Sequence, residues 1–224
     1  MATNGGNLLQ RTRCAYFMDT HFPQCNKRLP GSGCGALKGF NRNHAILGAS
    51  EQCIATHPSD MCVALAALEA VIRVRGVNGE RSIPMAEFHR LPGNTPHVET
   101  SLQPGELILS IDLPPSPYAQ YSHYLKVRDR ASYEFALVSV AAALNIQNGL
   151  IHSARIAMGG VAHKPWRVAM AEKLLVGNKP SAEAFTRTAK AILAGAKTYQ
   201  NNAFKISLAE KAIVQSLSSA AGVA

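Results

Sequence analysis

The chain has 224 residues, 47% of them apolar and 17% charged, a balance that fills a sizeable core in one or two domains and excludes disorder throughout. The longest apolar stretch near the middle, Phe135 to Leu144, is short for a bilayer and broken by Ser139, and the first residues lack a charged-then-apolar leader, so neither a membrane span nor an export signal is expected. The net charge of +9, from 23 Lys and Arg against 14 Asp and Glu, suits an anionic partner such as nucleic acid, a membrane surface or a phosphorylated cofactor, and does not choose among them.

Residues 1 to 58 are rich in Gly, Asn, Cys and Pro without a sustained apolar period, which predicts loop. A structureless stretch of this length belongs in a compact domain only when a ligand or metal replaces the missing apolar core. Ser59-Asp60 then offers an N-cap for a helix over Met61 to Val71. Strands are expected at Val71 to Val77 and Glu80 to Ile83 around an Asn78-Gly79 turn, followed by a short helix at Met85 to His89. Glu106 to Leu113 alternates like a strand and stops at Pro114-Pro115. Tyr121 to Val127 and Phe135 to Ile146 read as further strands, the second joined through Asn148-Gly149 to Leu150 to Met158. Ala169 to Leu175, Ser181 to Ala196 and Phe204 to Leu217 have helical spacing. The order predicts an α+β chain in two parts, 1–115 and 116–224, with a cysteine-rich insert at about 11–56.

Five cysteines lie in the first 62 residues and none in the remaining 162. An odd count without an export signal argues against a disulfide framework. The spacings Cys14-x10-Cys25-x8-Cys34-x18-Cys53-x8-Cys62 contain no C-x2-C pair, so zinc has a weak claim on them. Four thiolates on a glycine-rich loop suit a [4Fe–4S] cluster. Between Arg11 and Gln52 six cations (Arg11, Arg13, Lys27, Arg28, Lys38, Arg42) face only Asp19 and Glu51, an excess that would offset an anionic cluster. Cys62, among Val63, Ala64 and Ala66 in the expected helix, reads as a small buried hydrophobe, the spare of the five. The plain alternative for the others is unrelated thiols. His21, His44 and His57 lie near them, but eight histidines scattered through a chain mostly sit at the surface or in hydrogen bonds. No Ser/His/Asp or paired-carboxylate arrangement stands out. With 6% aromatic residues, the basic excess lacks the stacking partners of a single-strand nucleic-acid platform.

Thr3-Asn4-Gly5-Gly6-Asn7-Leu8 opens the chain with an apparent tight turn whose bare glycines would let backbone amides reach a pyrophosphate; paired glycines by themselves usually only turn the chain. Taken in order with His57-Pro58-Ser59-Asp60-Met61, Gly105 to Pro114, Tyr124 to Arg130, Gly159-Gly160-Val161-Ala162 and Lys164-Pro165-Trp166-Arg167, this opening resembles the FAD-binding medium subunit of the xanthine dehydrogenase family of molybdenum hydroxylases. It is most similar to the iron–sulfur-containing FAD subunits of bacterial aldehyde oxidoreductases.

The resemblance implies the C-terminal half of a PCMH-type FAD-binding domain with an Fe–S loop insert, then a CO dehydrogenase flavoprotein C-terminal-like domain. It places the pyrophosphate and ribityl chain on Thr3, Gly5, Gly6 and Asn7, the flavin polyol on Asp60, the isoalloxazine against Ile108, and its pyrimidine edge near Lys126. Asn4 departs from the apolar residue usual there. The resemblance also implies Cys14, Cys25, Cys34 and Cys53 as ligands of the [4Fe–4S] cluster. In the family a further N-terminal stretch with a first glycine-rich FAD motif precedes the point where this chain starts, so truncation or a late start, and weakened FAD binding, are expected. The implied partners are a molybdenum-cofactor large subunit and a [2Fe–2S] small subunit, with no nucleic acid. The implied location is cytoplasmic, or periplasmic by co-export with a partner. The rival reading is a cluster-stabilised interaction module that binds no flavin.

Overall fold

The N-terminal segment is mostly loop, as expected, but short helical turns are set into it. The computed structural model describes residues 3–223, which include the whole Thr3 to Leu8 motif. It begins with α1 (Asn4–Leu8) and α2 (Ala15–Met18), with a 3-10 turn at Gly35–Leu37. The Gly5-Gly6 pair, read above as a tight turn, is instead the first turn of α1. Thr3 Oγ1 accepts the Gly6 amide at 2.9 Å as an N-cap, and Leu8 is fully buried, which offsets the low helix propensity of glycine.

The helix predicted at Met61 to Val71 is α3 (Asp60–Ala67), capped by Ser59, whose hydroxyl accepts the Cys62 amide. It stops before Val71 because Glu69 takes a left-handed conformation, φ 55°, and turns the chain into a strand. β1 (Val71–Gly76), β2 (Gly79–Pro84) and, after α4 (Met85–Phe88), β3 (Leu107–Asp112) form an antiparallel sheet in the order β2-β1-β3. The first hairpin is offset by one residue from the expected turn: Gly76 pairs with Gly79, so Val77 and Asn78 fill the loop and Gly79 follows at φ 100°.

β4 (Ser122–Val127), β5 (Val138–Gln147), β6 (Leu150–Gly159) and β7 (Trp166–Arg167) form a second antiparallel sheet in chain order. The β5–β6 turn is the expected Asn148-Gly149, both residues at positive φ. α5 (Ala169–Glu172), α6 (Ala182–Ile192) and α7 (Phe204–Ala221) follow, completing the α+β architecture. The near-continuous burial of β5 from Val138 to Leu144 reflects a strand covered on both faces. Val138, Val140, Ala142 and Leu144 share a core with Phe185, Ile192, Ile213 and Leu217 of α6 and α7. On the other face Ala141, with Ala157 of β6, packs with Cys62, Val63 and Ala66 of α3. A Cβ on Gly159 would meet Ser139 Oγ and lie 2.6 Å from Val63 Cγ2, so glycine there lets α3 sit directly on the sheet.

The cysteine-bearing segment is stitched to the second sheet. The amides of Ile46 and Leu47 both donate to the Val161 carbonyl at 3.0 Å, and that of His57 to Ala162 at 3.0 Å. Buried Lys205 of α7 donates to the carbonyls of His44 and Gly160.

His163, beside this seam, is buried with both ring nitrogens unpartnered, and burial drives its pKa down to about 3. An unfolded histidine takes its proton near pH 6.5, so between that pH and about 3 the unfolded state holds more protons than the native state. The stability contributed by neutral His163 is therefore full above pH 6.5 and falls as pH drops, by up to ~1.4 kcal/mol per pH unit. His163→Leu is expected to remove about one proton from the pH slope of the unfolding free energy between pH 6.5 and 4. An unchanged slope in urea titrations would mean that His163 is already protonated in the native state.

Candidate cofactor sites

α3 and β4 build the first site. Asp60 opens α3, where a carboxylate suits the positive end of the helix. Tyr124 and Lys126, two residues apart on β4, project from the same face toward it. Lys126 Nζ lies 2.7 Å from Asp60 Oδ2, and the Tyr124 hydroxyl donates to Asp60 Oδ1 at 2.8 Å. Burial pushes the Tyr124 phenol well above its ordinary pKa, which keeps it a donor. A groove of about 760 Å³, open to solvent, is lined by Asn7, Ser59, Asp60, Lys126, Arg128 and Phe135. Asn7, Asp60 and Lys126 thus share one groove, while Thr3, Gly5 and Gly6 form the helical turn leading to it. Ile108 does not line the groove; it packs against the core of α3, β1 and α4, where a Cβ on Gly5 would lie 3.9 Å from its side chain. The Gly6 amide is committed to Thr3, so it is not among the free donors of the motif.

The second site is a small, largely apolar cavity lined by Cys14, Cys25, Cys34 and Cys53 together with Tyr16, Phe17, Ala36 and Ala55. Polar anchors hold the surrounding loop where an apolar core is missing. Cys25 and Cys34 face each other in an isolated antiparallel bridge. Asn26 donates to the Gln52 carbonyl at 3.0 Å and accepts from the Gly33 amide at 2.8 Å. The Arg28 guanidinium gathers the carbonyls of Tyr16, Phe17 and Phe22. Buried Lys27 donates to the Pro96 carbonyl at 2.9 Å and lies 3.2 Å from Glu99.

The thiols are not equivalent. The neighbouring Cys53 thiol lowers the pKa of Cys34, Cys53 is itself pushed up by that pairing and by burial, and burial raises Cys14 to about 11. Cys62 is fully buried in α3 and does not line this cavity. Of the neighbouring histidines, His21 is exposed, whereas His44 is buried with Nε2 3.1 Å from Cys14 Sγ. Among the described residues, His57, Cys62 and His89 are the one trio of His, Cys or acidic side chains whose ligand atoms all lie within 4.8 Å of one another, so no three of the four cavity sulfurs are that crowded.

A cleft of about 800 Å³ joins the two sites, touching Cys14 and His44 on one side and Ser59 and Asp60 on the other, with Gly159 and Gly160 also in its wall. His57 lines the same cleft. Tyr124, which fixes Asp60, and His89 and His163 were not singled out in the sequence; their neighbours come from other elements, and no local period marks them.

The pattern of the FAD binding domain in molybdopterin dehydrogenase matches residues 1–116, more than half of the chain, and that of the CO dehydrogenase flavoprotein C-terminal domain matches residues 123–220. The chain belongs to the FAD-binding subunits of the molybdopterin dehydrogenases. Among the relatives of this FAD-binding subunit, the aldehyde oxidoreductase FAD-binding subunit PaoB of Escherichia coli is 53% identical over 220 residues, covering 98% of this chain and 65% of PaoB. The glyceraldehyde dehydrogenase medium chain of Sulfolobus acidocaldarius is 36% identical over 54% of this chain and 41% of its own length. The chain therefore spans less than two thirds of these relatives. The fold is shared with quinoline 2-oxidoreductase from Pseudomonas putida, at a TM-score of 0.62 and 24% identity over 80% of this chain and 59% of that one. The FAD-binding subunit is thus homologous to oxidoreductase flavin subunits. No helix among its described residues is long and apolar enough to cross a membrane.

Proposed function

We propose that the chain is the FAD and iron–sulfur electron-transfer subunit of a molybdenum-dependent oxidoreductase of the aldehyde or xanthine dehydrogenase type. In this reading Thr3, Gly5, Gly6, Asn7, Asp60 and Lys126 hold FAD, Ile108 backs the Gly5 turn from the core rather than lining the groove, and Cys14, Cys25, Cys34 and Cys53 hold a [4Fe–4S] cluster. Electrons arrive from a molybdenum-cofactor large subunit through a [2Fe–2S] small subunit and leave to an external acceptor. The observation that carries the reading is the shared cleft, which brings the Asp60 groove and the Cys14 wall of the cysteine cavity onto one space.

The donor set suits a cluster better than a single ion. A tetrahedral zinc with thiolates at about 2.3 Å would draw the sulfurs to about 3.8 Å from one another. No three of the four cavity sulfurs come within 4.8 Å of one another, and four thiols in an apolar lining match a cubane's need for one sulfur at each iron. Lys27, buried and acting electrostatically on Cys53, adds positive charge where thiolates would gather.

FAD and the cluster, when bound, supply the redox chemistry; the chain binds, orients and tunes them. Lys126 places a cation where reduced flavin carries negative charge, and Asp60 holds that cation in position. Tyr124, kept neutral by burial, fixes Asp60 from the other side. In the complex assembled with the large and small subunits under anaerobic conditions, an aldehyde is expected to bleach the flavin absorbance, and omitting the [2Fe–2S] subunit is expected to prevent it. Flavin that stays oxidised while the complex turns substrate over to an added acceptor would overturn the electron-transfer role.

A further inference from the structure

Three buried side chains that neither cofactor reading uses meet beneath α1. His57 precedes α3, Cys62 lies in its first turn and His89 follows α4; one ligand atom from each lies within 4.8 Å of the other two. Their imidazole rings are 4.2 Å apart between centroids. Cys62 is 0% and His89 3% exposed. His89 Nε2 lies 2.7 Å from the Leu8 carbonyl, so it carries the proton and donates, leaving Nδ1 as a bare lone pair. That nitrogen is buried without a hydrogen-bond partner, and so is His57 Nε2. Two orphaned imidazole nitrogens beside a thiol are an arrangement that a metal ion satisfies and an apolar core does not.

We propose that His57, Cys62 and His89 bind one zinc ion, with a fourth position facing solvent. Two imidazoles and a thiolate are nitrogen and sulfur donors, which suit zinc and exclude calcium and magnesium. The Leu8 carbonyl on His89 is the outer partner that orients a ligating imidazole. Binding at His57 Nε2 moves that ring's proton to Nδ1, at the cost of a long 3.4 Å contact from the Ser59 amide. The Zn–S bond forms as the Cys62 thiol proton leaves to solvent. A cavity of about 800 Å³ lined by Leu8, His57, His89 and His163 gives the ion a way in, and the one buried cation on its wall, Lys27, is paired with Glu99. Zinc at Cys62 replaces the weak 3.6 Å S–H contact with the Asn7 carbonyl, and through the His89 bond to the Leu8 carbonyl the ion would tie the end of α1 to α3 and to the segment after α4.

Cobalt(II) added to the iron-loaded full chain tests this, since it reports thiolate ligation by a charge-transfer band and tetrahedral geometry by intense visible bands. One cobalt per chain is expected, displaced by one zinc. Cys62→Ser should abolish the charge-transfer band while the iron content is unchanged, and His57→Gln and His89→Gln should each weaken cobalt binding at least tenfold with the band retained at saturation. A band that persists in Cys62→Ser, wild-type affinity in both histidine variants, or no saturable uptake by the folded wild-type chain would each overturn the proposal. Iron content is scored separately, so a failure of the cluster reading is distinguishable from a failure of this one.

Discussion

Serine in place of Cys25 or Cys34 is expected to reduce anaerobically purified protein from about four irons and four sulfides per chain to background, while Cys62→Ser keeps both. Cys25 and Cys34 face each other across the bridge that closes the cysteine cavity, so each presents its sulfur from a fixed backbone position. The neighbouring Cys53 lowers the pKa of Cys34, which favours the thiolate that ligates iron; a serine hydroxyl has neither the softness nor the acidity to replace it. The loop should survive the change. Its anchors, Asn26 on Gln52 and Gly33 and Arg28 on three carbonyls, involve no sulfur. Cys62 lies outside the cavity, in the core under α3. Stoichiometric zinc on the four cavity cysteines, without sulfide, would sink the cluster.

Asp60→Ala is expected to weaken FAD binding by about ten- to a hundredfold in the assembled complex, because it removes charge-assisted hydrogen bonds of about 1.5–3 kcal/mol each and ~1.4 kcal/mol is a decade in affinity. The loss has two parts. The carboxylate that would meet the flavin polyol is gone, and Lys126 and Tyr124 lose the group that positions them. Asp60→Asn retains an acceptor but not the charge, and should fall between the two. Gly6→Val acts from the other side, since even a Cβ there lies 3.1 Å from Thr3 Oγ1 and a branched side chain displaces the cap of α1. Flavin absorbance and fluorescence titration measure both variants. Unchanged FAD affinity in Asp60→Ala and Gly6→Val together would place the flavin away from this groove.

The secondary elements were legible where short-range chemistry fixes them. Asn148-Gly149 supplies the two positive φ values of a tight hairpin and Ser59 caps the helix it precedes, so both were found in place. At Asn78-Gly79 the same dipeptide signal misplaced the turn by one residue, since a glycine after the loop satisfies that hairpin as well as one within it. Gly5-Gly6 misled in a different way: composition favours a turn, and only the Thr3 cap and the burial of Leu8 make it helical. The strand expected from Phe135 begins at Val138, because Phe135 turns out to the cleft, where Arg13 lies over its ring. The cysteine spacing was visible, but that the four cysteines line one cavity, and that Cys62 lies apart from it with His57 and His89, depends on contacts between segments far apart in the chain.

The bonds from Ile46, Leu47 and His57 to Val161 and Ala162 set the order of synthesis against the order of packing. Cys14 to Cys53 are synthesised before the strand ends and carbonyls that hold their segment in place and the α7 lysine that reaches His44, which come from the last third of the 224 residues. Contacts so distant in sequence form slowly. The cysteine segment must therefore wait, thiols unprotected, until the C-terminal sheet and helices exist. The proposed cluster on those thiols would then be completed after translation, and oxidation during that interval would compete with it.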